Sequence, residues 1–569
     1  MALGPGATAR ERIALELDRM RTGARVLGKT GLGRALRWPG VRAALASLGR
    51  GHVNPASALR LHAKNSPERV ALLARGRAYR YGELDALVDR LGAALRRGGV
   101  GRREPVAVMV KNRPEFLALQ YALGRLGAAA VNVSWRSTPD ELGHVLADSG
   151  ARWLFADADA RAAAEAVAPR LEPGRLVVVG GDPGRFVAFD ELAEAGAGGA
   201  IDDDPEGGSL VMYTSGTTGR PKGAVRTFPR DALTQTLRFL EAAPLHHDDV
   251  HYAACPLYHA TAYGFANFTF LLGGRVVLGE EFSPLGFDEA VRRHGVTNAA
   301  LVPTMLYRLV EAARRGELPS PRPRSLRAIF VGGAALTPAL ASAALEAFGD
   351  VLYQFYGATE TGLVTFATPE DLRLAPGTIG RALRGNDIRL LDEAGAPVAD
   401  GEVGELFVRS PLAFDAYHNN EAATSAATRA GYFSVGDLAR RDAAGRYFLS
   451  GRKRELIISG GVNVYPAEVE AALAEHPDVA DAAVVGVPDD EWGERVRAYV
   501  VAREGRSPEA ADLVAHCRAR LAGPKVPREV VFLEALPRNP TGKVVKRALA
   551  ELGARPAPRP GGPASGGAG

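Results

Sequence analysis

The chain has 569 residues, 46% of them hydrophobic and 24% charged, with a formal net charge of +5. That length exceeds what one core supports, so two to four domains are expected, and the ordinary balance excludes a fibrous, disordered or nucleic-acid-coating polypeptide. The two cysteines, Cys255 and Cys517, lie far apart with no metal-ligand spacing. They read as buried thiols of a reducing cytoplasm and exclude a disulfide framework. No apolar run approaches a membrane span, and the first residues lack the apolar region of a signal peptide.

Residues 1–55 differ from the rest. Between Arg21 and Arg50, seven basic residues occur with no acid, and Leu27, Leu32, Leu36, Trp38, Val41, Leu45 and Leu48 are interleaved. The expectation is a basic amphipathic extension that either lies on an anionic membrane surface, through residues 21–50, or packs on a domain. Gly23, Gly28, Gly31, Gly33 and Pro39 argue against one continuous helix. Within it, Gly23 to Thr30 fits the GxxxxGKT phosphate-loop pattern. The preceding Leu17–Thr22 reads as a polar helix end, however, and Gly31 and Gly33 follow, so the strand–loop–helix context is missing and the match is a decoy.

Residues 56 to about 380 alternate short apolar runs with alanine-rich helical stretches. The strands are predicted at 106–110, 130–133, 210–212, 299–302 and 328–331, with helices at 114–124 and 287–294. This predicts mainly parallel, covered sheets. From 380 to 450 short alternating strands and turns predict a β-rich subdomain. A last α/β unit spans 451–552, with a helix at 466–476, strands at 482–487 and 497–501, and a helix near 508–521. The tail 553–569 contains only Gly, Pro, Ala, Arg and Ser and is expected to be disordered.

The richest stretch is Tyr213 to Ala224, YTSGTTGRPKGA. Gly216 and Gly219 let backbone amides approach an anion, Thr214, Ser215, Thr217 and Thr218 add hydroxyl donors, and Lys222 adds positive charge. It departs from the Walker pattern, because Gly223 rather than Ser or Thr follows the lysine. Further along, Tyr356–Gly357 offers a flat ring beside a close backbone, and Glu360 a hard oxygen suited to magnesium. Gly436–Asp437 offers a carboxylate for ribose hydroxyls. GRKRE at 451–455, SGGVNVYP at 459–466 and NPTGK at 539–543 complete the series. Taken singly, each has an ordinary structural reading.

Together, in this order, with PLYH at 256–259, GGAAL at 332–336 and YGATE at 356–360, the motifs resemble the adenylate-forming superfamily of acyl-CoA synthetases, peptide-synthetase adenylation domains and luciferases. The resemblance covers about residues 55–550. It implies an α/β multidomain fold: a large N-terminal domain of two α/β subdomains plus a small β-barrel (56–450), and a smaller, mobile α+β C-terminal domain (451–552). The hinge position is Arg454, where many relatives carry Lys or Asp.

The resemblance also implies roles. Thr359, Glu360 and Lys543 are the catalytic residues, with Glu360 as the Mg2+ ligand. The nucleotide contacts are Thr214 to Gly219, Lys222, Gly333, Ala334, Tyr356, Gly357, Asp437 and Arg452. Ser459, Gly460 and Gly461 meet CoA, and His259, Tyr263, Phe265 and Ala358 form the acyl pocket. ATP and CoA are co-substrates. No fixed charge stands out to recognise an amino group, which favours an apolar acid. The leading expectation is a medium- or long-chain fatty acid–CoA ligase, with an aryl or other bulky-acid ligase, or a stand-alone enzyme loading a carrier protein, as alternatives. The expected location is cytoplasmic, with peripheral contact at the inner membrane surface.

Overall fold

The computed structural model describes residues 9–49, 55–204, 207–214, 222–227, 229–319, 324–460, 462–489, 491–539 and 542–553. The chain divides into two compact units, Met1–Phe448 and Leu449–Gly569. Two sheets organise the first. In one, the parallel neighbours Ser209–Thr214, Ala129–Asn132, Pro105–Met109, Trp153–Asp157 and Leu176–Val179 are followed outward by Val187–Ala188. Its other edge is antiparallel: Lys222–Arg226 folds back on Ser209–Thr214, and Ala416–Tyr417 joins Lys222–Arg226. In the second sheet a parallel series runs Val70–Ala74, Arg275–Leu278, Val250–Ala253, Asn298–Leu301, Ala328–Val331 and Leu352–Ala358. It continues antiparallel through Gly362–Ala367 and Thr378–Ala382 into the β-rich region that ends near residue 450.

Local chemistry explains where the helices begin and end. Pro139–Ser149 and Pro369–Leu374 each open with a threonine cap, a proline in the first turn and a reciprocal acidic residue at the third position. Pro114–Leu126, Pro139–Ser149, Ala260–Leu272 and Pro284–His294 stop at glycines with positive φ. The strands are buried on both faces, so they read as unbroken apolar runs; Ala328–Val331 is buried throughout.

The N-terminal extension is helical and seated on the first unit. Gly23 and Gly28 lie inside one helix, Ala9–Lys29, contrary to the expectation that glycine would interrupt it; the break falls at Gly31, at φ 73°. Two more helices follow, Leu32–Ala35 and Trp38–Gly49, so Pro39 sits in a first helical turn, where it is tolerated. Packing against Arg230–Ala242 overrides the propensity cost, because Val26 and Leu32 enter a cluster with Phe239, Leu240 and Leu245. The GKT match is confirmed as a helix end. Lys29 Nζ donates to the Ala243 carbonyl at 2.8 Å and Thr30 Oγ1 to the Val26 carbonyl at 2.7 Å.

The second unit is a mixed sheet of Ile457–Ser459, Val462–Val464, Val479–Asp489, Gly493–Ala502 and Glu529–Phe532. Val469, Leu473, Val484, Ala498, Leu513 and Cys517 form its core with the helices Pro466–Ala474 and Ala510–Arg518. Both cysteines are buried thiols. Among the described residues no helix is long and apolar enough to cross a membrane.

Candidate active site

The glycine-rich loop joins two antiparallel strands, with Thr214 opposite Lys222 and Tyr213 opposite Gly223. A strand rather than a helix follows it, which separates it from a Walker loop. Ser215, Gly216, Thr217, Thr218 and Gly219 lie outside the described residues. Both roots of the loop are tied to one point. Tyr213 Oη donates to Asp148 Oδ2 at 2.7 Å, and the Asp148 carbonyl lies 3.0 Å from His418 Nε2 and accepts from Asn419 Nδ2 at 2.9 Å. The His418 amide in turn donates to the Gly223 carbonyl at 2.7 Å. Burial and the Asp148 carboxylate push the Tyr213 phenol well above its usual range, so it stays a donor.

Glu360 is reached from the same edge strand. It is buried, its Oε1 accepts from Tyr417 Oη at 3.0 Å, and its carbonyl accepts from the Phe414 amide at 2.7 Å. Lys222 Nζ stands 5.6 Å from the centre of the same Tyr417 ring. Tyr417 therefore connects the lysine of the loop with the carboxylate proposed for magnesium. Arg226, four residues past Lys222, donates from Nη2 to the Thr359 carbonyl at 2.5 Å. Its Nε is buried without a hydrogen-bond partner. Burial pulls its pKa down to about 10, against the opposing charges of Glu360 and Asp415. The tight turn beneath these groups needs Gly357, since a Cβ there would overlap the Gly362 carbonyl. The Ala358 amide closes the turn on Thr361 Oγ1 at 2.9 Å.

The nucleotide-side residues meet directly. Tyr356 Oη donates to Asp437 Oδ2 at 2.7 Å, and both residues are buried. Asp437 is aimed by Gly436, at φ 77°, whose amide donates to Ser434 Oγ; that hydroxyl donates to Glu405 at 2.7 Å. Gly333 is exposed at φ 84°, so its glycine is required by conformation rather than by crowding. Ala334 beside it is half-buried.

On the acyl side, His259 immediately precedes the helix Ala260–Leu272, without a side-chain capping bond, and lies 4.1 Å, centre to centre, from Tyr258. Its Nε2 is buried without a partner, and burial pulls its pKa to about 4, so the ring is neutral near pH 7. Tyr263 is buried edge-on against Phe116 and lines a small recess with Gln120, Tyr121, Ala130 and Leu210. Ala358 ends its strand half-buried. Phe265 does not join this group. It packs among Phe239, Phe330 and Phe355, because residues two apart on a helix point about 200° apart.

In the second unit, Arg452 ends the strand Tyr447–Arg452, and Arg454 lies in the short turn Lys453–Glu455. Ser459 is fully buried with no partner for its Oγ, so its side chain belongs to the interior of that unit rather than to a surface open to CoA. Gly460, at φ 59°, donates its amide to the Trp492 carbonyl at 2.8 Å, and a Cβ would strike the Trp492 ring. Gly461 lies outside the described residues. Lys543 stands on a hairpin turn in which Asn539 Oδ1 accepts from its amide at 2.9 Å and the Asn539 amide donates to its carbonyl at 2.8 Å.

Sequence reasoning missed Arg226, Tyr417 and Asp148. Arg226 looks like one more position of a strand. The pairing of Tyr417 with Glu360 is set by strand order, which no local motif encodes.

Comparison with known proteins matches this arrangement to two family models, "AMP-binding enzyme" over residues 59–418 and "AMP-binding enzyme C-terminal domain" over 468–543. The chain is 36% identical to indoleacetate–CoA ligase of Aromatoleum aromaticum over 503 residues, 87% of this chain and 97% of that protein. It is 31% identical to long-chain-fatty-acid–CoA ligase FadD13 of Mycobacterium tuberculosis, over 83% of this chain and 92% of that one. Among solved structures, o-succinylbenzoate CoA synthetase (MenE) of Bacillus subtilis, in complex with its acyl-adenylate, superposes with a TM-score of 0.76 at 30% identity. That match covers 86% of this chain and 97% of the other.

Proposed function

The chain belongs to the AMP-binding enzyme family and is an AMP-forming acid–thiol ligase, and on that premise we propose that it joins a compact, uncharged, ring-bearing carboxylic acid to CoA. In the first half-reaction the acid's carboxylate attacks the α-phosphorus of ATP and the bond to pyrophosphate breaks. In the second, the CoA thiolate attacks the acyl carbonyl and AMP leaves. The first step brings an anion to a polyphosphate, so its difficulty is electrostatic.

This chain's residues divide that work. The anchored loop and Lys222 hold the β- and γ-phosphates, and Thr359, set by Arg226, meets the α-phosphate. Tyr356 carries the base on its ring and fixes Asp437 for the ribose, with Arg452 as a second ribose contact. Lys543 supplies positive charge between the attacking carboxylate and the α-phosphate. Gly460 gives the thiol arm a narrow approach during thioester formation, and Arg454 is the residue that the family resemblance marks as the hinge. Glu360 fits a magnesium ion: it is one hard carboxylate, one of whose oxygens is occupied by Tyr417, and magnesium typically takes one or two carboxylates and completes its shell with phosphates and water. Held there, such an ion would supply positive charge against the departing pyrophosphate.

The observation that carries the substrate reading is the acyl wall. His259 is neutral and lies tilted against Tyr258, and Tyr263 meets Phe116 edge-on. On the far side of the same helix, Phe265 seals an aromatic core instead of opening depth. Such a wall favours a flat apolar acid over a long flexible chain. The ring-bearing acids named for two of the relatives support it. A straight-chain fatty acid is the second reading, supported by the likeness to FadD13.

The test is AMP release from ATP with indoleacetate, benzoate, cinnamates and a straight-chain series from short to long, each with and without CoA. CoA-dependent turnover should be highest on a ring-bearing acid. A maximum on a straight chain would replace the first reading with the second. An adenylate that CoA cannot discharge would move the acceptor to a carrier protein.

A further inference from the structure

The N-terminal extension separates its side chains by charge and polarity. Its inward face is accounted for. Thr22, Val26 and Leu32 are buried; Asp18 pairs with Arg238 at 2.7 Å and Arg384 at 2.8 Å; Arg19 pairs with Asp231, and Arg25 with Glu241 at 2.7 Å. The outward face is different in kind. Leu17, Met20, Leu27, Trp38 and Leu45 all stay exposed; Met20 and Leu45 are 61% and Trp38 69% accessible. Leu17, Met20, Ala24 and Leu27 recur at helical spacing and share one side of Ala9–Lys29, with the exposed Glu16 beside them, while Trp38 and Leu45 are exposed on the next long helix, Trp38–Gly49. Between and beside them stand Arg21, Arg34, Arg37 and Arg42, all exposed and without an ion-pair partner among the described residues.

From this partition we infer that the extension docks the enzyme on an anionic lipid bilayer surface. Apolar side chains including an indole, interleaved with guanidinium groups, match the two layers of such a surface. The apolar groups enter the acyl boundary, and the cations stay at the headgroups. Charge complementarity selects this occupant. A second copy meeting the same face about a twofold axis would bring together two surfaces carrying the same excess of unpaired arginines. A nucleic acid would satisfy the cations but leave Trp38, Met20 and Leu45 in water. The seating on the helix Arg230–Ala242 uses none of the outward groups, so the surface is preformed, and it stands apart from the identity of the acid.

The test is co-sedimentation of the full-length protein with phosphatidylcholine vesicles, with and without phosphatidylglycerol. One variant carries Met20→Ser, Trp38→Ser and Leu45→Ser. A second carries Arg21→Gln, Arg34→Gln, Arg37→Gln and Arg42→Gln. Wild type should sediment with the anionic vesicles, weaken as salt rises, and leave neutral vesicles largely unbound. At about 1 kcal/mol per basic residue near the surface, the arginine variant should lose more than about a hundredfold in partition. The apolar variant should lose at least about tenfold, on roughly 0.8 kcal/mol per buried methylene. Both should keep wild-type Tm and wild-type turnover of a water-soluble acid. Absence of sedimentation with anionic vesicles overturns the inference. So does equal binding by the variants, a dimer that the apolar variant abolishes, or duplex DNA binding that outcompetes the vesicles.

Discussion

Replacing Tyr356 by phenylalanine isolates one hydrogen bond at the nucleotide end of the site. The hydroxyl donates to Asp437 at 2.7 Å, and both residues are buried. A hydrogen bond to a charged group contributes about 1.5–3 kcal/mol, and each 1.4 kcal/mol is a factor of ten. The phenyl ring remains, so the apolar face offered to the base is unchanged. What is lost is the orientation of the carboxylate toward the ribose. kcat/KM for ATP should fall by roughly 10- to 100-fold, with a matching rise in the Kd for AMP, while KM for the acid stays within about twofold. The assay is steady-state AMP formation with ATP varied at saturating acid and CoA, together with calorimetric titration of AMP. Asp437→Asn is the companion: it can still accept from the phenol but removes the charge, so its loss in AMP affinity should equal or exceed that of Tyr356→Phe. If Tyr356→Phe lowers Tm but leaves AMP binding intact, the contact is only a structural tie and the assignment of Asp437 to the ribose fails.

Three other outcomes are expected. Arg226→Leu removes the donor to the Thr359 carbonyl and should cost about 10- to 100-fold in kcat/KM for ATP. Because a partly unsatisfied buried cation goes with it, Tm should hold or rise, and Arg226→Lys should recover part of the rate; a collapse of Tm together with activity would sink the positioning role. Lys543→Ala should cripple adenylate formation while sparing thioester formation from supplied acyl-adenylate, and equal loss of both half-reactions, measured separately, would refute that division. Burial holds His62, His251 and His259 near pKa 4, against 6.5 unfolded. Below pH 6.5 the unfolded chain takes up protons that the native state refuses, so stability is full above 6.5 and falls as pH drops toward 4, by about 3 kcal/mol per histidine. His259→Phe should therefore flatten the decline of Tm between pH 6.5 and 4.5, and an unchanged slope would show that this histidine does not contribute.

Much was legible in the chain because it is encoded locally. The buried parallel strands are short apolar runs, and the observed limits fall within a few residues of those expected; Ala328–Val331 coincides. The glycine- and hydroxyl-rich segment from Tyr213 to Ala224 was legible as a loop between strands, and the strands Ser209–Thr214 and Lys222–Arg226 flank it. Lys543 was singled out by the family resemblance of NPTGK, and its turn is closed by Asn539. The family resemblance tied these pieces into one reaction.

What tertiary structure decided are contacts between residues far apart in sequence. Tyr356 meets Asp437 across 81 positions, Tyr417 meets Glu360 across 57, and Arg226 meets Thr359 across 133. Each depends on strand order and register, which local composition does not specify. The same holds for side-chain direction. The family resemblance placed Phe265 with Tyr263 in the acyl pocket, but helix geometry turns it into an aromatic core, and it placed Ser459 beside CoA although its side chain is buried. The glycines of the N-terminal helix were misread in the same way, because their propensity cost is local while the burial of Val26 that outweighs it comes from a partner helix more than 200 residues away. A sequence determines which groups are chemically competent; packing decides which of them face one another, because burial free energy is gained only when distant segments meet.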